Sequence, residues 1–279
     1  MKSLPHFPLV RLVYQGEMLR LEVLAHGVLR LVLARPQVRN ALNVPMIAEF
    51  EQLFTRLEGD PIAEEARLLL LQGEGDVFCA GADLAYMRAQ AEASEEDNLR
   101  DARRLGRIFR RIAAFPVPVV CHVKGAALGG GLGLAVCSDF VLAQADAVFA
   151  TPEVRLGLVP GVIGPYVVRK LGLAHGAPLM LAGARLSARE ALISGLVQRV
   201  VEPSENAEEA LDQVLLSFVQ AGPRAARRTR GWLRMLAPLP DPEVIEASAR
   251  TIAEVRKSQE AQAGLEAHFT KTLPPWGIP

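Results

Sequence analysis

Lys124-Gly125-Ala126-Ala127-Leu128-Gly129-Gly130-Gly131-Leu132-Gly133 follows the apolar run 117–123 and opens an apolar stretch that ends at Cys137. A short run of branched apolar residues reads as a strand buried on both faces. The glycine cluster after it reads as a turn into a helix over 129–137. N–H groups at such a helix start, with the helix dipole behind them, suit an anionic oxygen. Close helix packing explains the same glycines equally well when the stretch is taken alone. The dinucleotide fingerprint does not fit, because the third small position after Gly129 and Gly131 holds Leu134. The phosphate-binding loop does not fit either, since no Gly-Lys-Ser/Thr closes the run.

The same order recurs outward from this turn. Upstream, 18–25 and 28–35 are strand-like, with Leu19, Leu21 and Val23 alternating with polar neighbours, and His26-Gly27 reads as a tight hairpin turn. Met46, Phe50, Leu53 and Leu57 have helical spacing behind Asn43 as N-cap, with Pro45 in the first turn. Residues 66–71 form a second buried strand, and a helix over about 97–114 leads back to 117–123. Downstream, 140–143 and 147–149 are short strands. Helix, short strand and glycine turn therefore repeat, which predicts an α/β domain of ββα-like units, without a sequence repeat that would mark a solenoid.

Past Leu186 most of the chain reads as helical. Ser187 and Glu190 form a capping-box pattern for a helix to about Gly195, and helices are expected over 207–220, 223–236 and 242–269. The expected division is a core through residue 195 that holds the site, and a helical region over 196–279 whose apolar positions need a partner.

Composition narrows the function. The 279 residues are half hydrophobic and carry 31 basic against 31 acidic side chains, so a sizeable core is feasible and the basic footprint of a nucleic-acid binder is missing. The arginines of 224–234 read as a solvated helix face or as a phosphate contact. Cys79, Cys121 and Cys137 sit in apolar runs, and an odd count argues against a disulfide framework. The five histidines lack metal-ligand spacing. Pro5 and Pro8 interrupt any apolar leader and no run reaches membrane-spanning length, so a soluble cytoplasmic protein is expected.

Two further segments carry chemistry. In Val77-Phe78-Cys79-Ala80-Gly81-Ala82-Asp83-Leu84, small residues let a ligand approach backbone N–H groups, although a plain strand-to-helix turn looks the same. In Ala150-Thr151-Pro152-Glu153-Val154-Arg155-Leu156-Gly157, a carboxylate stands between Pro152 and apolar residues. Desolvation there would raise its pKa and suit it to moving protons; a surface pair with Arg155 is the alternative. Two exposed-N–H turns and one carboxylate are together what stabilising a thioester enolate requires. Each donor to the developing oxyanion is typically worth roughly 3 kcal/mol. A serine mechanism at Ser138 is disfavoured, since no histidine is suitably placed.

With these segments quoted, the chain resembles the enoyl-CoA hydratase/isomerase (crotonase) family from about Val28 to Trp276. Cys137-Ser138-Asp139 and Gly157-Leu158-Val159-Pro160-Gly161 add to the likeness. The resemblance implies a crotonase spiral of ββα units with a C-terminal helical trimerisation region, assembled as a homotrimer or a dimer of trimers. It implies an acyl-CoA thioester as ligand, with no cofactor beyond the coenzyme A of the substrate. By resemblance the N–H groups of Ala82 and Gly130 form an oxyanion hole and Glu153 is the general acid/base, with Ala80, Asp83 and Gly129 beside them. Arg39 falls where the family meets the coenzyme A phosphates, and Phe269 and Lys271 where it covers the adenine. Leu84, Met87, Val162 and Tyr166 are the expected acyl pocket.

The chain departs from the family at one place. A second glutamate would stand eight residues after Gly125, where Gly133 is found. That fits single-glutamate members such as 3-enoyl to 2-enoyl-CoA isomerases. Yet the segments 81–87, 97–103, 153–158 and 162–166 are similar to bacterial methylglutaconyl-CoA and isohexenylglutaconyl-CoA hydratases, which share the missing glutamate. Hydration of a short or branched 2-enoyl-CoA such as methylglutaconyl-CoA is the expected reaction. Isomerisation and acyl-CoA binding with little catalysis are the alternatives. If hydration holds, the substrate's distal carboxylate or a polar side chain among 97–101 is expected to help place the water.

Overall fold

Strands β1 (Leu9–Gln15), β2 (Leu19–Leu24) and β3 (Val28–Leu33) make an antiparallel meander in the computed structural model, which describes residues 7–278. Pro5 therefore lies outside the described residues. The β2–β3 connection turns at His26 and Gly27, both with positive φ (62° and 75°), and Ala25 makes it a three-residue turn. β1 went unread in the sequence because it lies at the sheet edge and is largely exposed, so no in/out alternation marks it.

Helix α1 (Val44–Leu57) begins as expected. The Asn43 side chain accepts from the Met46 N–H, and Met46, Phe50, Leu53 and Leu57 are buried. After α2 (Pro61–Glu65), β4 (Leu68–Gly73) runs parallel between β3 and a later strand. Its period of two divides it between two cores: Leu69 and Leu71 join the main cluster, whereas Leu68 and Leu70 join a second one on the other face.

Three successive turns of a spiral follow. β4 leads to Cys79, which bridges Ala127 in parallel, and then to α3 (Leu84–Glu92) and α4 (Glu95–Ala113). β5 (Val119–Val123) leads through β6 (Ala126–Leu128) to α5 (Gly130–Val136). β7 (Phe140–Gln144) leads through β8 (Val148–Ala150) to a 3-10 turn over Pro152–Leu156 and then α6 (Gly164–Ala182). Each turn thus contributes a long strand to one sheet, a short extended segment beside it, and a helical start. The short segments lie parallel, with Ala126 against Val148 and Leu128 against Ala150. Their C-terminal ends, at Ala82, Gly130 and Glu153, therefore share one edge.

β9 (Arg185–Ser187) completes a three-stranded sheet, β6-β8-β9, and leads into α7 (Ala188–Ile193). β10 (Arg199–Val201) completes the seven-stranded sheet by pairing with β7, so that sheet runs past residue 195. α8 (Ala207–Val219) covers the second core, and α9 (Pro223–Leu236), α10 (Pro242–Arg256) and α11 (Gln259–Thr270) follow. α10 packs on α4, and α11 on α3 and the Pro152–Leu156 turn, so the last helices close over the site of their own chain.

Three expectations change. The helix expected from 97 starts at Glu95, because the Ser94 side chain caps it. The helix expected over 242–269 is two, since the chain turns at Lys257 and the Ser258 side chain accepts from the Ala261 N–H. α6 was not anticipated: Pro165, Pro178 and Gly172 (φ 63°) interrupt its pattern.

Candidate active site

The shared edge of the three spiral turns opens on a cavity of about 770 Å³. Ala82, Gly130 and Glu153 all line it. The Ala82 N–H lies beyond the parallel bridge to Leu42, whose carbonyl accepts from the Asp83 N–H instead. The Gly130 N–H heads α5, where no residue four back can accept. Neither donates to a protein acceptor among the described residues. The two turns abut: a Cβ on Gly81 (φ 94°) would stand 3.0 Å from the Leu128 carbonyl oxygen. At Gly129 (φ 48°, ψ −116°) the backbone takes a shape closed to other residues, and a Cβ would come within 3.0 Å of Glu153 Oε1.

Glu153 sits in the Pro152–Leu156 turn. Gly157 (φ 68°) ends that turn and lets α11 approach; a Cβ there would meet the Glu260 carbonyl at 2.7 Å. The alternative, a surface pair with Arg155, does not form: the Arg155 guanidinium donates to the Ala182 carbonyl. Oε2 of Glu153 is sealed from solvent with no hydrogen-bond partner. Burial without a compensating charge raises the carboxyl to about 7, against a small opposing pull from its own backbone N–H. It can thus take and return a proton near neutral pH.

Position 133, where the family resemblance puts a second glutamate, is closed. A Cβ on Gly133 would stand 2.6 Å from Ile163 Cγ2 and 2.7 Å from Phe109 Cε1. A second glutamate at this backbone position would have to displace two buried apolar side chains. The other carboxylate on the cavity wall, Asp83, is engaged: Oδ1 accepts from the Ala85 N–H at the start of α3, and Oδ2 pairs with Arg35 at 3.0 Å. Asp83 thus braces the Ala82 turn.

The remaining expected residues divide. Ala80 and Gly129 line the cavity, as do Leu84, Met87 and Val162. Arg39 lines it too, exposed and in the left-handed region (φ 54°), its carbonyl accepting from the Ala80 N–H. Three do not join them. Tyr166 is turned into the core against Phe109, its hydroxyl buried without a partner. Phe269 lies off the cavity wall under the Arg88 guanidinium, 4.6 Å from its ring centroid. Lys271 is an exposed left-handed residue ending α11. Asp97 is on the outer surface, bonded to Ser94 and Arg100, and does not reach the cavity.

Sequence reasoning also missed part of the wall. Tyr86, Gln90 and Arg256 line the cavity between α3 and α10. The Tyr86 hydroxyl donates to Asp101, and Arg256 Nη1 donates to Gln90, Asn98 and Asp101. Only the burial of Asn98 and Asp101 on the inner side of α4 could have hinted at this network, and Arg256 lies 155 residues away in sequence. Among the described residues no His/Cys/Asp/Glu cluster could hold a metal, and no helix is long and apolar enough to cross a membrane.

A family model described as enoyl-CoA hydratase/isomerase matches residues 24–278. The chain is 40% identical over 179 residues to a crotonyl-CoA hydratase of Syntrophomonas wolfei, which spans 63% of this chain and 66% of that protein. It is 30% identical over 257 residues to the enoyl-CoA hydratase domain-containing protein 3, mitochondrial, of Xenopus laevis, covering 90% and 83% respectively. Among solved structures it resembles an enoyl-CoA hydratase from Shewanella pealeana with a TM-score of 0.72 at 35% identity, over 93% of this chain and 96% of that one.

Proposed function

The chain belongs to the enoyl-CoA hydratase/isomerase family, and from that premise we propose that it hydrates a short or branched 2-enoyl-CoA, such as methylglutaconyl-CoA, with Glu153 as its only acid–base group. The observation that carries the reading is a desolvated, unpaired carboxyl, raised to about 7, beside two unused backbone donors. The thioester oxygen accepts from the N–H groups of Ala82 and Gly130. Ionised Glu153 takes a proton from water as the water oxygen bonds C3, and the C2=C3 electrons move onto the thioester oxygen as an enolate. The carbonyl re-forms as C2 takes that proton back from Glu153. One carboxylate suffices because the proton it removes is the proton it returns. Coenzyme A enters as part of the substrate, and the exposed cations Arg39, Arg155 and Arg185 on the cavity wall suit its phosphates. A homotrimer or a dimer of trimers would cover the exposed Trp232, Met235 and Leu236 of α9.

The plug at Gly133 favours a second reading, 3-enoyl to 2-enoyl-CoA isomerisation. There Glu153 removes a proton from C2 of a 3-enoyl thioester and returns it to C4, and no water has to be held. Ultraviolet absorbance separates the two. Loss of the conjugated enoyl band with crotonyl-CoA or 3-methylglutaconyl-CoA supports hydration. A rising band with a 3-enoyl-CoA, and no loss with the others, replaces it by isomerisation. Binding of a saturated acyl-CoA with neither change would leave an acyl-CoA-binding protein.

A further inference from the structure

We propose that the wall between α3 and α10 receives a carboxylate at the far end of the acyl chain, with Arg256 as the specificity-determining residue. This rests on reading the cavity as an acyl-CoA site. Arg256 lines the cavity with its side chain only 12% exposed. Its contacts all leave from one nitrogen: Nη1 faces Gln90 Oε1 and Asn98 Oδ1, each at 3.1 Å, and Asp101 Oδ2 at 3.3 Å. One terminal nitrogen carries two N–H groups, so three acceptors exhaust it. Nε and Nη2 have no protein acceptor among the described residues, and neither is sealed inside the protein. That edge carries the parallel N–H pair that matches a carboxylate bidentately.

The guanidinium is also held in place before any ligand arrives. Asp101 offsets its charge from the α4 side and is itself held by the Tyr86 hydroxyl. α3 begins at the Ala82 turn, so position along it measures distance from the reacting carbonyl. Leu84 and Met87 line the cavity first. Gln90 comes six residues after Leu84, about 9 Å further along the helix axis. The wall is apolar near the thioester and then cationic. A hydrocarbon tail reaching Arg256 would strip water from three N–H groups and give them nothing in return. A short chain ending in a carboxylate satisfies them.

Calorimetric titration of the full chain with glutaryl-CoA and butyryl-CoA tests this without any chemistry, since both acyl groups are saturated. Glutaryl-CoA is expected to bind about tenfold tighter or better. Arg256→Met should bring that ratio to within about threefold of one, and Arg256→Lys, a point charge without the fork, should lower it partway. Equal affinities in the wild type, or a ratio unchanged in either variant, overturn the proposal. Because the wild-type ratio and Arg256→Lys stand alone, an unfolded Arg256→Met does not spare it. Should no enoyl-CoA be turned over while the ratio holds, the hydration reading fails and the carboxylate receptor stands.

Discussion

Two acids, Asp101 buried behind the cavity wall and Glu153 half-buried on it, are handled in opposite ways. Asp101, from α4, meets the Tyr86 hydroxyl and the Arg256 guanidinium. Glu153, from the Pro152–Leu156 turn, meets nothing at Oε2. Charge pairing makes the first a brace: it ties α4 to α3 and α10 and orients the groups around it. Desolvation without pairing makes the second a reagent, because a carboxyl raised to about 7 exchanges its proton readily. Burial alone does not make an acid catalytic; burial with no counter-charge does.

The contrast can be broken by exchanging each acid for its neutral isostere. Glu153→Gln removes the proton carrier and keeps the volume. Its turnover of a 2-enoyl-CoA should fall about 10²–10⁴-fold while saturated acyl-CoA still binds. A loss under tenfold would mean that another group moves the proton. Asp101→Asn should cost about 3 kcal/mol in denaturant unfolding, because it leaves the largely buried Arg256 guanidinium without its counter-charge. The stability effect of Glu153→Gln has the opposite sign. The folded carboxyl, raised above its unfolded value of 4.5, holds a proton that the unfolded chain releases. That contribution is complete below pH 4.5 and is lost as pH rises through about 7. Wild type and Glu153→Gln should therefore be equally stable near pH 4. The variant should be the more stable at pH 8, by at most roughly 3 kcal/mol. A difference that does not grow with pH would mean that Glu153 is solvated or paired.

What the sequence disclosed was local. Asn43 and the Ser187/Glu190 capping box announce helix starts through bonds three residues long, Pro45 does so by its fixed φ, and each forms as read. The glycine turns at 81 and 129 were legible because only glycine tolerates their backbone and their crowding. Residues whose surroundings come from distant chain were harder. Tyr166 follows Val162 closely enough to suggest one shared pocket, yet α6 turns it inward against Phe109 from α4. Phe269 faces Arg88 of α3. Arg256 gave no local sign of its place on the cavity wall, because its acceptors come from α3 and α4, more than 150 residues earlier. The Asn40 side chain, whose Nδ2 donates to the carbonyls of Glu74 and Val77, likewise gave no local sign of its role behind the Ala80–Ala82 turn.

The smallest expected effect tests the closed position 133. In an ordinary helix Gly→Ala stabilises by up to about 1 kcal/mol. At Gly133 the new methyl would stand 2.6 Å from Ile163 Cγ2 and 2.7 Å from the Phe109 ring, both side chains being buried. Overpacking of that kind costs about 1–3 kcal/mol, so Gly133→Ala should come out destabilised by about 1 kcal/mol in denaturant unfolding. Phe109→Leu should relieve part of that cost, and a double-mutant cycle would show a coupling of about 1 kcal/mol. A stabilised Gly133→Ala would mean that Phe109 and Ile163 yield readily. The position could then admit a larger side chain, and the absence of a second carboxylate would reflect residue choice alone. A destabilised one makes the plug part of the fold: α4 and α6 pack through the place where a second acid would stand, and Glu153 is left to act by itself.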